Sequence, residues 1–443
     1  MGIFMARRQA PADRPSKTAE LLFYNQRMDA VDKLRTVSEH MGLEPAEDYQ
    51  PPAGAAQPIP SRNPRAPCGH APAELRRLAD ESAPYTAPTL SDDKKRALGV
   101  SYAAMPGGKR IALLKTLLTS ACERNCFYCP FRAGRDFRRV TFKPEEMARA
   151  FLQLQQARVA EGLFLSSGII NGGARIQDKL IAVAEVLRFK LGFKGYIHLK
   201  IMPGAERAQV ERAMQLADRV SINLEAPNTQ RLAALAPLKE FTGELVQPLR
   251  WVEEIRRAQP ARLGWNGKWP STTTQFVVGA AGETDLELLS TTEALHKQAR
   301  LARAYFSAFH PLPDTPLENQ PAENPWREFR LYQSSFLLRD YGFGLEELPF
   351  TQAGNLPLDV DPKVAWAQRN LREAPVEVNR ADRQTLLRVP GIGPKAVEAV
   401  LAARRRHTLR DLRDLQALGV IARRAAPYIL LDGKQPARQL SLF

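Results

Sequence analysis

Three cysteines lie close together in a chain of 443 residues that contains only four. Cys122, Cys126 and Cys129 stand in the stretch CERNCFYC, spaced by three residues and then by two. Thiolates at such short spacing can converge on one metal ion or on an iron–sulfur cluster. A structural zinc site usually takes four ligands in two separated pairs, but this loop contains no histidine and Cys68 lies in a distant Pro-rich segment. Three thiolates suit a [4Fe-4S] cluster that leaves one iron open for an external ligand; zinc or coincidental thiols are the alternative.

The segment from 109 to 344 predicts the elements that would position these cysteines. Six short apolar runs alternate with amphipathic stretches of helical period, which predicts a parallel sheet with right-handed crossovers. Polar residues recur at the C-terminal ends of the runs, where barrel active sites form, so we expect an α/β fold with a partial (β/α)6 barrel rather than a doubly wound sheet. The cysteines follow the first run. The predicted strands are 111–120, 162–167, 196–202, 219–225, 272–279 and 302–310, and the predicted helices are 144–161, 175–191, 206–217, 228–258, 284–299 and 325–341.

Composition divides the chain into regions. Its length fits two or three folded units. No apolar run is long enough to span a bilayer and the N-terminus lacks the apolar core of a secretory signal, so we expect a cytoplasmic protein without a membrane partner. We predict an irregular N-terminal region with one helix and a Pro-rich linker over 1–92, the barrel over 95–345, a connector over 346–368, a small all-α domain over 369–435 and a flexible tail over 436–443.

The chain is strongly basic. It contains 63 Lys and Arg against 48 Asp and Glu, a formal net charge of +15. Such a balance favours a polyanionic partner such as nucleic acid, although Arg-rich coding alone can also produce it.

In a reducing compartment, clustered thiols more often bind metal or carry out redox chemistry than form disulfides.

The cysteine stretch resembles the signature of the radical S-adenosylmethionine (radical SAM) superfamily, including an aromatic residue, Tyr128, before the last cysteine. In that family, the amino and carboxylate groups of SAM chelate the open iron of a [4Fe-4S] cluster. Electron transfer to SAM yields a 5'-deoxyadenosyl radical that abstracts a hydrogen atom from the substrate. The resemblance therefore implies the cluster and SAM as cofactors, Tyr128 in the cofactor site, and a reducing partner such as flavodoxin or ferredoxin.

The resemblance also implies cofactor-binding residues at other strand ends. The second strand of the family usually ends in Gly-Gly-Glu, which binds the SAM ammonium, but here the stretch is Ser166-Ser167-Gly168. With the carboxylate missing, hydroxyls and carbonyls must accept those hydrogen bonds. Asn223 and Glu225 resemble the ribose-binding strand, and the alternative is that they solvate the barrel mouth. Gly279, in VVGAAGE, resembles the adenine-contacting segment, where a small residue lets a flat base approach the backbone.

Three further residues are candidates for a direct role in the reaction. Lys200 lies in a strand that we expect to be buried, where a lysine needs an anion: the SAM carboxylate, a substrate phosphate or Glu225. His310 follows the sixth strand. Cys68 is the one cysteine left after the cluster, so it could donate a hydrogen atom only if its linker folds over the barrel. One thiol is too few for a second Cys-ligated cluster that would insert sulfur.

Near the C-terminus, LLRVPGIGPKAVEAVLAARRR resembles the helix-hairpin-helix motif of DNA repair proteins, which contacts the duplex backbone without reading sequence. Gly391 and Gly393 permit a tight turn whose N–H groups, at the start of the next helix, can bind a phosphate oxygen. Lys395, Arg404 and Arg405 add positive charge. The continuation TLRDLRDLQALGVIARR resembles a degenerate second copy. The alternative is a helical pair with a glycine turn that contacts another protein.

The last five residues, QLSLF, resemble the peptide with which bacterial polymerases and repair proteins bind the sliding clamp. A short peptide on a mobile tail can dock its apolar residues in a hydrophobic groove. Gln439, Leu440, Leu442 and Phe443 are therefore predicted to bind the sliding clamp, and a tail folded back on the domain is the alternative.

As a whole, the segment 95–435 resembles a bacterial family of radical SAM proteins described as DNA modification or repair enzymes. The sequence hypothesis is a radical SAM enzyme that acts on a DNA base or lesion. A base in a duplex must leave the stack before a barrel mouth can reach it. Two other hypotheses remain: an enzyme that modifies RNA, and a non-catalytic iron–sulfur scaffold that binds DNA or the clamp.

Overall fold

The computed structural model describes residues 28–41, 91–104 and 110–436. Cys68 and most of the predicted region 1–92 lie outside these residues. The tail residues Gln439, Leu440, Leu442 and Phe443 also lie outside them.

A seven-stranded sheet forms the centre of the molecule, with its strands in chain order across the sheet. Strand β1 runs antiparallel to β2, and β2 to β7 are parallel to one another. The sheet curls into an α/β half-barrel, and its six parallel strands correspond to the six predicted ones. The strands are β1 (Val100–Ala104), β2 (Arg110–Leu117), β3 (Gly162–Ser166), β4 (Ile197–Lys200), β5 (Arg219–Ser221), β6 (Ser271–Val278) and β7 (Arg303–Ala308).

Strand β1 and the length of β5 differ from the prediction. The stretch that forms β1 is five residues long and shows too little alternation to be recognised, yet it pairs in register with β2 through five residues. Strand β5 is shorter than the predicted 219–225. The chain beyond it stays hydrogen-bonded to β6, where the Ile222 N–H donates to the Thr273 carbonyl at 3.1 Å and an isolated bridge joins Glu225 and Phe276. Asn223 and Glu225 therefore lie past the end of β5, at the mouth of the half-barrel.

Helices connect the strands along the outside of the sheet. The predicted helix 228–258 is two helices, because Pro237 cannot continue an α-helix and a loop follows it. The helices are α1 (Ala30–Met41), α2 (Asp92–Arg96), α3 (Pro144–Gln156), α4 (Gly173–Glu185), α5 (Arg207–Leu216), α6 (Thr229–Leu235), α7 (Gln247–Ala258), α8 (Asp285–Ala299) and α9 (Pro325–Asp340). Single π-helical turns, Val186–Lys190 and Phe241–Val246, extend α4 and precede α7.

Helix α1 packs against β2 and α3. Leu34 and Val37 are buried in the main core, and Lys33 forms a 2.6 Å ion pair with Glu146 at the start of α3. Aliphatic burial and this ion pair together attach the N-terminal helix to the half-barrel.

The residues after the half-barrel form five short helices around a second hydrophobic core. These helices are α10 (Pro362–Asn370), α11 (Arg383–Arg388), α12 (Pro394–Ala403), α13 (Leu412–Ala417) and α14 (Ala422–Ala425). The prediction of a purely α-helical region was wrong in one detail, because the two-residue strands β8 (Val376–Glu377) and β9 (Ile429–Leu430) pair in parallel. Strands of two residues are too short to leave a periodic pattern.

The second core is attached to the end of α9. Arg388 of α11 pairs with Glu347 at 2.7 Å and covers the rings of Phe343 and Trp366. Arg424 of α14 pairs with Asp361 at 3.2 Å. No helix in the described part of the chain is both long and apolar enough to cross a membrane.

Candidate active site

The cysteine loop leaves β2 at the C-terminal end of the parallel strands. It continues beside the extension of β3, where the Gly168 N–H donates to the Thr119 carbonyl at 2.7 Å and the Glu123 N–H donates to the Ile169 carbonyl at 2.7 Å. In parallel sheets this edge is the one that carries functional loops.

Two side chains within the loop fasten it to neighbouring elements. The Glu123 carboxylate accepts hydrogen bonds from the Asn171 and Gly172 N–H groups, before α4. Arg124 donates to the Leu238 carbonyl and pairs with Glu244 at 2.6 Å. These contacts attach the cysteine loop on one side to the segment that follows β3 and on the other side to the segment that follows α6.

Arg139, which follows the cysteines in the chain, stabilises the loop by hydrogen bonds to its backbone. Its guanidinium donates to four backbone carbonyls, those of Ser120, Phe131, Arg132 and Arg135, at 2.8 to 3.1 Å. Sequence reasoning did not single out Glu123, Arg124 or Arg139, because nothing in their spacing distinguishes them from surface charges. In the structure, the contacts of these three side chains fix the conformation of the segment 120–139.

One cavity brings the three thiols together with most of the predicted cofactor residues. The space inside it, counted together with the open solvent at its mouth, is about 620 Å³. The predicted residues that line it are Cys122, Cys126, Tyr128, Cys129, Ser166, Ser167, Gly168, Lys200, Asn223 and Glu225.

None of the three thiols is in a disulfide, and two of them receive backbone hydrogen bonds. Cys122 Sγ accepts from the N–H groups of Arg124 and Ile169, and Cys129 Sγ accepts from that of Phe131, each at 3.4 Å. Burial, followed by nearby acidic groups, raises the pKa of the Cys126 thiol despite the opposing effect of Lys239. A bound metal would favour the thiolate by its own charge.

The thiols are not arranged around a single point. In the described ranges, no group of three or more His, Cys, Asp or Glu side chains is placed to hold one metal ion. A cubane cluster has several irons, and each cysteine binds a different one. Its thiolate ligands therefore need not meet at one centre.

Gly168 is required by close packing at the end of β3. A Cβ on Gly168 would collide with the carbonyl oxygen of Ala121, in the cysteine loop. The neighbouring Ser167 is buried, and its Oγ has no hydrogen-bond partner within the described residues. The stretch 166–168 thus lets the cysteine loop approach β3 and directs an unsatisfied hydroxyl towards the cavity.

Glu225 forms a buried ion pair that the sequence did not predict. Its Oε1 accepts from Lys239 Nζ at 2.9 Å, and the Lys239 and Glu225 side chains are 9% and 5% exposed. The partner of Glu225 is thus Lys239 and not Lys200, which the sequence suggests. Lys239 comes from the loop after α6, and since Pro237 ends that helix, the break in the predicted 228–258 helix was the signal that could have identified it.

A second cavity opens beside the first and shares Tyr128, Cys129, Asn223 and Glu225 with it. His310 lies on its rim. Its other polar lining residues are Gln275 of β6, Ser307 of β7 and Glu328 of α9. Burial raises the pKa of the Glu328 carboxyl, although one of its oxygens accepts from the Ala308 N–H at 2.7 Å.

Gly279 does not line either cavity. Its N–H donates to the Glu283 carboxylate and its carbonyl accepts from Gln320 at 2.9 Å. A Cβ at this position would collide with Glu323. The backbone polar groups of the predicted adenine-contacting residue are therefore bound to protein side chains in this structure.

The residues predicted to bind DNA lie around two glycine turns in the C-terminal helices. Gly391 has a φ of +86° and its carbonyl accepts from the Ile421 N–H at 2.9 Å, while Gly393 caps the start of α12. Lys395 and Arg405 are exposed. Arg404, in contrast, donates to the carbonyls of Val378 and Ala381, so its guanidinium stabilises the fold.

The fold and the site define a class of protein: an α/β half-barrel with three thiols, none in a disulfide, at the carboxyl ends of its parallel strands. Residues 116–295 match the sequence profile of the Radical SAM superfamily. This part of the chain is a radical SAM domain. Proteins of this superfamily use a [4Fe-4S] cluster and S-adenosylmethionine.

One curated relative is the tRNA-2-methylthio-N(6)-dimethylallyladenosine synthase of Lachnoclostridium phytofermentans. It is 22% identical over 185 residues, which are 40% of this chain and 37% of that protein. The chain therefore spans little more than a third of the length of this relative.

Solved structures with a similar fold include methylornithine synthase (PylB) and the [FeFe]-hydrogenase maturase HydG from Carboxydothermus hydrogenoformans. The first is 16% identical, with a TM-score of 0.41 over 53% of this chain and 64% of that one. The second is 15% identical, with a TM-score of 0.40 over 51% of each chain.

The donor set of the first cavity fits the two cofactors of the superfamily. Two of the three thiols, those of Cys122 and Cys129, accept N–H hydrogen bonds, which suit sulfur ligands of a cluster. Two buried oxygens in the described part of the cavity wall, Ser167 Oγ and Glu225 Oε2, have no well-formed hydrogen bond, although the Tyr128 hydroxyl lies beside the Glu225 carboxylate. Such oxygens can accept hydrogen bonds from an ammonium group or a hydroxyl of a ligand.

Proposed function

We propose that the protein is a radical SAM enzyme that modifies a nucleic acid. The observation that carries this proposal is the single cavity that gathers Cys122, Cys126 and Cys129 with the strand-end residues 166–168, 223 and 225. When bound there, the cluster and SAM supply a 5'-deoxyadenosyl radical after transfer of one electron from a reductant such as flavodoxin or ferredoxin.

The side chains of the chain bind and orient in this proposal. The three thiolates hold the cluster, and the Ser167 hydroxyl and the Asn223 side chain offer hydrogen bonds to SAM. Lys200, 9% exposed on β4, places a positive charge in the same cavity for an anionic group of SAM or substrate. The second cavity opens beside Cys129 and Glu225, so a substrate group that enters it would lie next to the cluster and SAM.

Structured RNA is the first candidate substrate. The curated relative with 22% identity is, by its name, an enzyme that modifies an adenosine of tRNA. The net charge of +15 favours a polyanion of either kind. A methylthio transfer itself is not proposed, because Cys68 is the one cysteine of the chain outside the cluster set.

DNA is the second candidate, and the C-terminal helices favour it. Two helix–turn–helix units have glycines at positive φ in their turns, +86° at Gly391 and +84° at Gly419, and they contact each other through the Ile421 N–H and the Gly391 carbonyl. A turn of this kind before a helix offers N–H groups to a phosphate oxygen. The tail residues 439–443 would recruit such an enzyme to the bacterial sliding clamp.

The test is anaerobic reconstitution with iron and sulfide, followed by reduction and an assay for 5'-deoxyadenosine. We expect the wild-type protein to bind about four irons and to form 5'-deoxyadenosine. The Cys126→Ala variant should lose both properties, whereas Cys68→Ala, the matched control, should keep both. A reduced, intact cluster that cleaves no SAM would leave the scaffold hypothesis in place of an enzyme.

The substrate class is tested in the same reaction. Total tRNA and duplex DNA are offered at equal nucleotide concentration and in matched salt, and the nucleosides are then analysed by mass spectrometry. We expect a mass change in tRNA. A mass change in DNA alone would select the second candidate, and no change in either would contradict a nucleic-acid substrate.

A further inference from the structure

The first cavity contains one carboxylate among its lining residues, Glu225. The charged side chains around it are otherwise cationic: Arg124, Lys200 and Lys239. The strand end that usually supplies a glutamate in this superfamily reads Ser166-Ser167-Gly168 here. If SAM binds in this cavity, Glu225 is the one carboxylate of the lining that can accept from its amino group.

The Glu225–Lys239 pair is only partly satisfied. Burying an ion pair costs free energy unless further hydrogen bonds complete it. Lys239 occupies Glu225 Oε1, and the buried Tyr128 hydroxyl lies beside the same carboxylate, but Glu225 Oε2 has no well-formed hydrogen bond within the described residues. Glu225 also holds a φ of +65°, which is unfavourable for a residue other than glycine. A strained, half-satisfied carboxylate on a cavity wall is typical of a ligand-binding position.

The position of Lys239 is coupled to the cysteine loop. Arg124, between Cys122 and Cys126, donates to the Leu238 carbonyl and pairs with Glu244 just after the Lys239 loop. The Lys239 N–H donates to the Ala236 carbonyl at 2.9 Å, which fixes the turn after α6. The same backbone that presents the thiols therefore places the Lys239 ammonium in the cavity.

We propose that Glu225 and Lys239 recognise the amino-acid end of SAM. Glu225 Oε2 accepts a hydrogen bond from an N–H of the SAM amino group, and Lys239 donates to the SAM carboxylate. The pair takes the place of the glutamate that the β3 end lacks, with its acceptor facing the amino group and its donor facing the carboxylate. This inference rests on the proposed function, since it requires SAM in this cavity.

Lys239 is a cofactor-binding residue in this proposal, and a purely structural ion pair is the rival explanation. The two differ in which ligands they affect. A residue that contacts the amino-acid end discriminates between SAM and 5'-methylthioadenosine, which lacks that end. A residue that only supports the fold changes the affinity for both ligands alike.

The experiment measures equilibrium binding of SAM and of 5'-methylthioadenosine to the reconstituted, full-length protein. The variants are Lys239→Met, Lys239→Arg and Glu225→Gln, each checked for iron content and thermal stability. We expect Lys239→Met to weaken SAM binding at least about tenfold, the size of a lost charged hydrogen bond, and to change 5'-methylthioadenosine binding less than about twofold. Lys239→Arg keeps the charge and should restore most of the affinity for SAM. Glu225→Gln should weaken SAM binding by a similar factor.

Unchanged SAM affinity in Lys239→Met, or an equal loss for both ligands, would overturn the inference while leaving the proposed function intact. Should Lys239→Met fail to fold or to take up iron, Lys239→Arg and Glu225→Gln are compared with the wild type. In that case, normal SAM binding by Glu225→Gln overturns the inference. Wild-type protein with a complete cluster that binds no SAM would overturn the proposed function as well.

Discussion

Lys363 is a buried lysine at the junction between the half-barrel and the C-terminal helices. Its Nζ donates to the Ile392 carbonyl, in the first glycine turn, at 2.6 Å and lies 4.5 Å from the ring centre of Tyr341. Burial lowers the pKa of this lysine to about 7, and nearby Asp361 only partly opposes the effect. The ammonium form is therefore less favourable in the folded protein than in the unfolded chain.

This shift predicts a pH-dependent stability. Between about pH 7 and the ordinary lysine pKa of 10.5, the unfolded chain holds a proton at this site that the folded protein has released. The contribution of Lys363 to the free energy of unfolding should therefore rise with pH in that window and stay constant below it. In Lys363→Met the contribution is absent. In urea denaturation at pH 7, 8 and 9, the free energy of unfolding of the wild type minus that of the variant should rise by about 1 kcal/mol per pH unit.

The comparison with Lys363→Met removes the contribution of other groups that titrate in the same window, because both proteins contain them. If stability depends on pH in the same way in both proteins, the pKa of Lys363 is not lowered in the folded state.

At the scale of the element, the two glycine turns are similar in backbone and different in surroundings. Both glycines have a φ near +85°, but a Cβ on Gly391 would lie 2.5 Å from the Ile421 carbonyl oxygen, whereas one on Gly419 would have nothing within 4 Å. Gly391 is thus required by packing between the turns as well as by backbone conformation, and Gly419 by conformation alone.

Gly391→Ala should destabilise the protein more than Gly419→Ala. We expect about 1 kcal/mol for Gly419→Ala, from the strain of an alanine at positive φ. For Gly391→Ala we expect about 3 kcal/mol, because the backbone of one turn must also shift. Chemical denaturation of the two variants measures the difference, and equal losses would mean that the turns do not pack as described.

At the scale of the whole molecule, α9 separates the second cavity from the glycine turns. Glu328, in its first turn, lines the cavity, and Tyr341, at its C-terminal end, lies near Gly393. Thirteen residues of helix correspond to about 20 Å. In the proposed function, a nucleic acid held at the turns must extend over that distance to reach the cavity, so we expect the turns to contribute to affinity and not to the reaction itself.

Removal of exposed charge near the turns should therefore weaken nucleic-acid binding without slowing the reaction at saturating substrate. Lys395→Ala and Arg405→Ala should each lower the slope of log affinity against log salt by about one, equally for different sequences. Fluorescence anisotropy with labelled nucleic acid at several salt concentrations measures the slope. Arg262→Ala removes one exposed charge from the half-barrel and is the matched control. Equal effects of Arg262→Ala and Lys395→Ala would argue against a binding surface at the turns.

The sequence by itself determined the parallel strands, most of the helices and the cysteine loop. These features follow from local patterns: apolar runs with buried faces, helical periodicity and three cysteines at short spacing. The same local patterns could not reveal β1, β8 and β9, which are too short, or the break near Pro237 within a stretch of otherwise helical period.

The tertiary structure decided which polar side chains meet. Lys239 is fourteen residues from Glu225 along the chain, and Glu328 reaches the second cavity from a helix that precedes the C-terminal region. Gly279, expected in the cofactor site from its motif, is instead enclosed by Glu283, Gln320 and Glu323. Ion pairs and cavity walls form between segments distant in sequence, and their partners depend on the paths of the loops in three dimensions, which no local period encodes.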